Sequence, residues 1–132
     1  MKQAIDELSA LPTPTEEAVR QILGAEFVEV KANRFWRFLE VKHAPPPYSK
    51  LELRLAKDEP KGLVVLKPAD GFSIGDDDLD RSSYGEPAID VNPRVPPEGL
   101  VSHVHRIGET KVTFDFTARS HRLQTVVVEW EG

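Results

Sequence analysis

Cysteine is absent from all 132 residues, which removes disulfides, thiolate metal sites and thiol nucleophiles from consideration. The lack of disulfides does not by itself fix the compartment, because a periplasmic protein also manages without them. No apolar run approaches the roughly 18 residues that a membrane-spanning helix needs. The opening stretch from Met1 to Glu7 has no apolar centre of the kind a signal peptide carries. The expectation is a soluble, cytoplasmic chain. Gly-x-Gly-x-x-Gly, phosphate-loop and Gly-x-Ser-x-Gly patterns are missing as well, so nucleotide binding and the hydrolase elbow have no sequence support.

What is present describes one compact α+β domain over residues 1–132. A chain of this length buries roughly two-thirds of its unfolded surface, enough for one core. A composition 39% hydrophobic and 30% charged is that of a globular chain and not a disordered one. Eleven prolines, most of them between the periodic segments, predict long fixed loops.

The net charge of −5 argues against a nucleic-acid coat, which needs a strongly basic face. The average conceals an asymmetry. Residues 31–57 hold seven basic side chains against Glu40 and Glu52, whereas residues 70–90 hold seven acids against Arg81. Such a split either steers a charged partner or simply solvates two faces.

Along the chain the period of the apolar residues changes. Lys2 to Ala10 reads as a short helix with Ile5 and Leu8 inward. A second helix begins after Thr13-Pro14, with Glu16 completing a capping box, and stops at Gly24 in a left-handed conformation. Its buried stripe is expected at Ala18 and Ile22, with Val19 and Leu23 beside them. From Phe27 onward the period falls to two. Strands are expected at Phe27–Val30, Arg34–Lys42, Ser49–Ala56, Leu63–Leu66, Leu100–Ile107, Lys111–Ala118 and Arg122–Trp130. In the third of these Leu51, Leu53 and Leu55 alternate with Lys50, Glu52 and Arg54. Residues 68–98 read as irregular, with a further helix from Asp76 to Tyr84 ended by Gly85.

The halves superimpose at a constant offset of 61 residues: Leu23-Gly24 falls on Tyr84-Gly85, and Leu51–Leu55 falls on Val112–Phe116. Two tandem repeats are therefore expected over about 13–67 and 74–130, each a helix followed by antiparallel strands. Together they predict one meandering antiparallel sheet with helices on one face. Its other face, bearing Glu52, Arg54, Thr113, Asp115 and Thr117, is expected to stay open.

Each half resembles the small module of the outer-membrane assembly lipoprotein BamE (SmpA/OmlA-like). The residues concerned are Glu16 to Gly24 with Phe35-Trp36-Arg37-Phe38, and Asp76 to Tyr84 with Gly85-Glu86-Pro87. Two such modules in tandem are similar in architecture to β-lactamase inhibitory protein. The lipobox cysteine of the first and the disulfides of the second are missing, so neither the membrane anchor nor any specific target carries over.

Candidate chemistry is sparse. His103 and His105 share a strand face, a spacing that suits two zinc or copper ligands, with Asp115 or His121 as a third. A histidine pair on a half-exposed strand needs no metal to account for it, and the expectation is no metal, no cofactor and no enzymatic activity. Asp76-Asp77-Asp78-Leu79-Asp80 fails as a calcium loop, since Arg81 and Pro87 stand where glycine and glutamate belong. Ser102 and His103 are adjacent on a strand and point to opposite faces, so they form no dyad. The aromatic and arginine side chains are the better binding group, because Trp, Tyr and Arg dominate interface energetics. The expected function is a non-enzymatic protein-binding domain of inhibitor or immunity type that blocks a bacterial toxin or enzyme. Its expected contacts are Trp36, Arg37, Phe38, His103, His105 and Asp115. The alternatives are a homo-oligomeric assembly component and a small metal- or ligand-binding domain.

Overall fold

The computed structural model describes residues 1–69, 81 and 84–131, and the helix expected from Asp76 to Tyr84 falls for the most part outside them. Among the described residues there are two short helices, α1 (Lys2–Ser9) and α2 (Glu16–Leu23). Eight strands follow: β1 (Val28–Ala32), β2 (Trp36–Glu40), β3 (Tyr48–Ala56), β4 (Gly62–Pro68), β5 (Ala88–Asn92), β6 (Leu100–Ile107), β7 (Thr110–Thr117) and β8 (Leu123–Trp130).

All eight belong to one antiparallel sheet in the order β1-β2-β3-β4-β8-β7-β6-β5. Each set of four consecutive strands is a simple meander. The two meanders meet where β4 pairs with β8, from Gly62 opposite Trp130 to Leu66 opposite Val126. This leaves β1 and β5 as the two edges.

The alternation expected in β3 is present: Leu51, Leu53 and Leu55 are buried, and Leu39 and Val64, the register partners of Leu53, are buried with them. Val112, Phe114 and Phe116 on β7 and Val126 and Val128 on β8 extend the same layer. Ile5 and Leu8 of α1 and Val19 and Leu23 of α2 close over it, each 6% exposed or less. Trp130 joins this core, donating its indole N–H to the Leu11 carbonyl.

Several local expectations need correction. The cap of α2 is Thr15, whose hydroxyl accepts the Ala18 N–H at 3.1 Å. The helix therefore starts later than Thr13-Pro14 suggests, and Glu16 is its first residue instead of the closing member of a box. Consequently Val19 and Leu23 form the buried stripe, with Ala18 and Ile22 half-buried outside it. Gly24 ends the helix at φ +63°, as its position predicts. β5 lies inside the stretch read as irregular. Its five residues are all exposed, and Pro87 and Pro93 flank it, so it lacks the buried alternation that marks a strand in sequence. Thr117, expected on the open face, is buried at 4% exposure beyond a register shift at Asp115/Phe116. Its hydroxyl bonds Ser120 Oγ and accepts the Arg122 N–H, which fixes it inside the β7–β8 turn.

Candidate partner-binding face

Residues directly opposite one another in a sheet project from the same face. The register therefore assigns the side chains to faces. One rung crosses all eight strands: Val28, Glu40, Glu52, Val65, Val127, Thr113, Val104 and Ala88. It lies opposite to the leucine and phenylalanine core, and six of its eight members are half-buried. The next rung runs Lys31, Phe38, Arg54, Leu63, Glu129, Lys111 and Arg106. Among the described residues no helix packs on this side, and its centre is apolar: Leu63, Val65, Val127 and Val104.

Trp36 and Phe38 project onto this face from β2, as candidate contacts should. Phe38 sits between two cations, with Lys31 Nζ 5.6 Å and the Arg54 guanidinium carbon 4.8 Å from its ring centroid. A depression of about 170 Å³ opens beside it, bounded by Val30, Phe38, Glu40, Glu52, Arg54 and Val65 together with Leu39, Leu53 and Leu63.

Asp115 is on the same face at the other half. Its Oδ1 accepts the Ser102 hydroxyl and its Oδ2 accepts the Thr125 hydroxyl at 2.7 Å. Both carboxylate oxygens are therefore engaged by neutral donors. Ser102 has no imidazole beside it, because the alternation of β6 sends His103 to the opposite side, opposite Phe114.

Three of the six expected contacts do not reach this face. Arg37 points to the helix side, where its guanidinium bonds Glu16 of α2 at 2.8 Å and Glu29 of β1 at 2.6 Å. The Glu29 and then the Glu16 carboxylates raise its pKa further above the ordinary arginine range. Its fork is thus occupied in tying α2 to the sheet. His103 and His105, two more of the expected contacts, also face inward. The His103 ring meets Phe116 edge-on at 5.3 Å. His105, 2% exposed, lies edge-on to Phe114 and Tyr84 at 5.6 and 5.9 Å. Its Nδ1 is 3.0 Å from the Gly85 carbonyl, which can only accept, so Nδ1 donates this bond, and its Nε2 has no hydrogen-bond partner among the described residues. The aromatic rings and that carbonyl hold the pair on the core side. Val104, the apolar residue between them, is turned outward instead.

Among the described residues no three His, Asp or Glu side chains stand together as a metal-binding group. No helix of the described residues is long and apolar enough to cross a membrane.

The residues that make the open face, above all Lys31, Arg54, Val65, Val127 and Val104, lie outside the expected contact set. Strand parity carries part of the signal: Arg54 opposes the leucines of β3. The rest depends on which strands neighbour one another, which no local pattern contains. Comparison with protein-family models, with curated proteins and with solved structures finds no match to this chain.

Proposed function

We propose that this chain is a non-enzymatic protein-binding domain of inhibitor or immunity type, whose open sheet face seats a bacterial toxin or enzyme and blocks it. The observation that carries the reading is the uncovered side of the sheet. At about 4.8 Å between strands and 3.3 Å per residue, eight strands present roughly 900 Å². A standard interface takes about 800 Å² from each partner. The half-buried Trp36 and Phe38, the exposed Arg54 and the aliphatic centre are the composition of an interface core. A cytoplasmic setting and the kinship with BamE-like modules and the inhibitory protein belong to this reading. Tandem duplication belongs to it too. Leu51–Leu55 and Val112–Phe116, 61 positions apart, lie on the third strand of their respective meanders.

The test is capture from native lysate followed by reconstitution with the purified captured protein. Phe38→Ala and Val127→Lys should abolish a stoichiometric complex, Arg37→Ala should retain it, and the partner's activity should fall as the chain is added. Retention by both open-face variants, or a partner whose activity is untouched, overturns the reading.

A second reading, a homo-oligomer joined through strand edges, is favoured by one observation. Both edge strands are exposed along their whole length, with Val28 and Val30 on one and Ile89 and Val91 on the other, the last two 55% and 59% exposed. A monomer mass by light scattering across the working concentration range removes it.

A further inference from the structure

The open face is not chemically uniform, and its β1–β3 corner indicates what kind of surface it receives. We infer that the partner presents an acidic protein segment whose carboxylates are taken by Lys31 and Arg54 on either side of Phe38. This inference rests on the protein-binding reading and names the chemistry of the partner at that same face.

Many cations of the molecule are already paired. Lys2, Arg20, Arg37, Lys50, Lys61, Arg106 and Lys111 each reach a carboxylate within 4.0 Å. Lys31 and Arg54 reach none among the described residues. Both are held over the Phe38 ring, so the positions of their charges are set by contact with an aromatic face. Arg34 repeats the arrangement nearby, 5.6 Å from the ring of Phe35, which is 63% exposed. A guanidinium lying over a ring keeps its in-plane N–H fork outward, and that fork matches a carboxylate bidentately. Lys31 adds three donors beside it.

A protein segment fits this corner better than a nucleic acid. The rung that starts with Lys31, Phe38 and Arg54 is interrupted by Leu63 and Glu129, and its two remaining cations, Lys111 and Arg106, are paired with Glu129 and Glu131, so no continuous track of free cations follows a phosphate backbone. Leu63 and Val65 instead offer apolar surface directly beside the charges. Glu40 lies on the adjacent rung, and there Glu52 is occupied by Lys50. These two carboxylates limit the acidic footprint to the Lys31–Phe38–Arg54 rung and the Arg34 end of β2.

The test uses the full chain, labelled with nitrogen-15, and four probes: a short peptide alternating glutamate with leucine, its glutamine and lysine counterparts, and a short single-stranded DNA. The glutamate peptide should shift the amides of Lys31, Phe38, Arg54 and Leu63, and bind about tenfold more weakly when added salt screens the charges. Arg54→Glu should lose that binding, Arg54→Lys should keep part of it, and Lys31→Ser should weaken it in a chain whose fold is checked by circular dichroism. Equal binding of the glutamine or lysine peptide at the same rung overturns the inference. So does tighter binding of the DNA there, which assigns the corner to a general polyanion. Failure of the glutamate peptide overturns it whatever the capture experiment returns, and the capture experiment alone decides the protein-binding reading.

Discussion

The indole N–H of Trp130 donates to the carbonyl of Leu11 at 3.1 Å, across 119 positions of the chain. Strand β8 is thereby fastened to the exit of the first helix, and the ring fills core space at 3% exposure. Trp130→Ala is expected to cost about 3–5 kcal/mol through the cavity it leaves. Trp130→Phe keeps most of the volume and should lose about 1 kcal/mol, since the Leu11 carbonyl then lacks its donor. Urea unfolding of the two variants separates ring packing from the hydrogen bond, and an unchanged stability in Trp130→Phe would show that the bond contributes nothing.

Gly62 opens β4 under a constraint of space. A Cβ there would stand 2.6 Å from the Arg54 carbonyl oxygen and 3.1 Å from Leu55 Cδ2. The first neighbour is backbone held in the β3 ladder and cannot rotate away. Gly62→Ala should destabilise by roughly 1–3 kcal/mol, as overpacking does. Thermal melting reads the effect, and an unchanged midpoint would mean that the two strands separate freely at this end.

Arg37 and Trp36 are neighbours that project from opposite faces of β2. Arg37→Ala breaks ion pairs to Glu29 and Glu16 that are partly open to solvent, so the expected loss is about 1 kcal/mol or less. Capture of the partner should survive that change. Trp36→Ala on the other face should leave α2 in place and weaken capture. Paired melting and binding measurements on both variants check this, and a reversed pattern would place the partner on the helix side.

Glu98 carries a pH dependence. One carboxylate oxygen accepts the Ser120 N–H at 2.6 Å, the Arg119 N–H at 2.7 Å and the Ser120 hydroxyl at 3.0 Å. The Ser120 amide above all, with the Arg119 amide and the hydroxyl, holds its pKa below the ordinary carboxylate value. A lowered folded-state pKa contributes stability at pH values above the unfolded pKa of about 4.3, and that contribution disappears as pH falls through the folded value. The melting temperatures of the native chain and Glu98→Gln should therefore differ at neutral pH and converge as pH falls through the lowered folded-state value. A constant gap across that range would remove the carboxylate from the account.

Much of the sheet is legible in the sequence because its central strands bury one side more deeply than the other. The leucines of β3 and the phenylalanines of β7 sit at every second position, and a period of two is what a strand with one buried face imposes. The short edge strands are harder to read. Ala88–Asn92 is exposed throughout and bounded by prolines, so the pattern that marks a strand is not written into it. Facing is the least legible property of the candidate site. In β6 each parity contains two apolar residues, Val101 and Ile107 on one and Leu100 and Val104 on the other, so local hydropathy does not choose between them. The fold buries His105 because Phe114, Tyr84 and the Gly85 carbonyl converge on it from elements outside β6. Arg37 faces the helices for the same kind of reason: its carboxylate partners lie on α2 and β1.

The seam between β4 and β8 also sets an order of events during synthesis. β4 is complete once residue 68 has been made, but the strand that covers its far edge spans residues 123–130. While the residues between are added, a growing chain carries Leu63, Val64 and Val65 on an unpaired edge, the condition in which strands from neighbouring nascent chains join. Closure waits for β8, so a chain interrupted before Leu123 lacks the strand that seals the first meander.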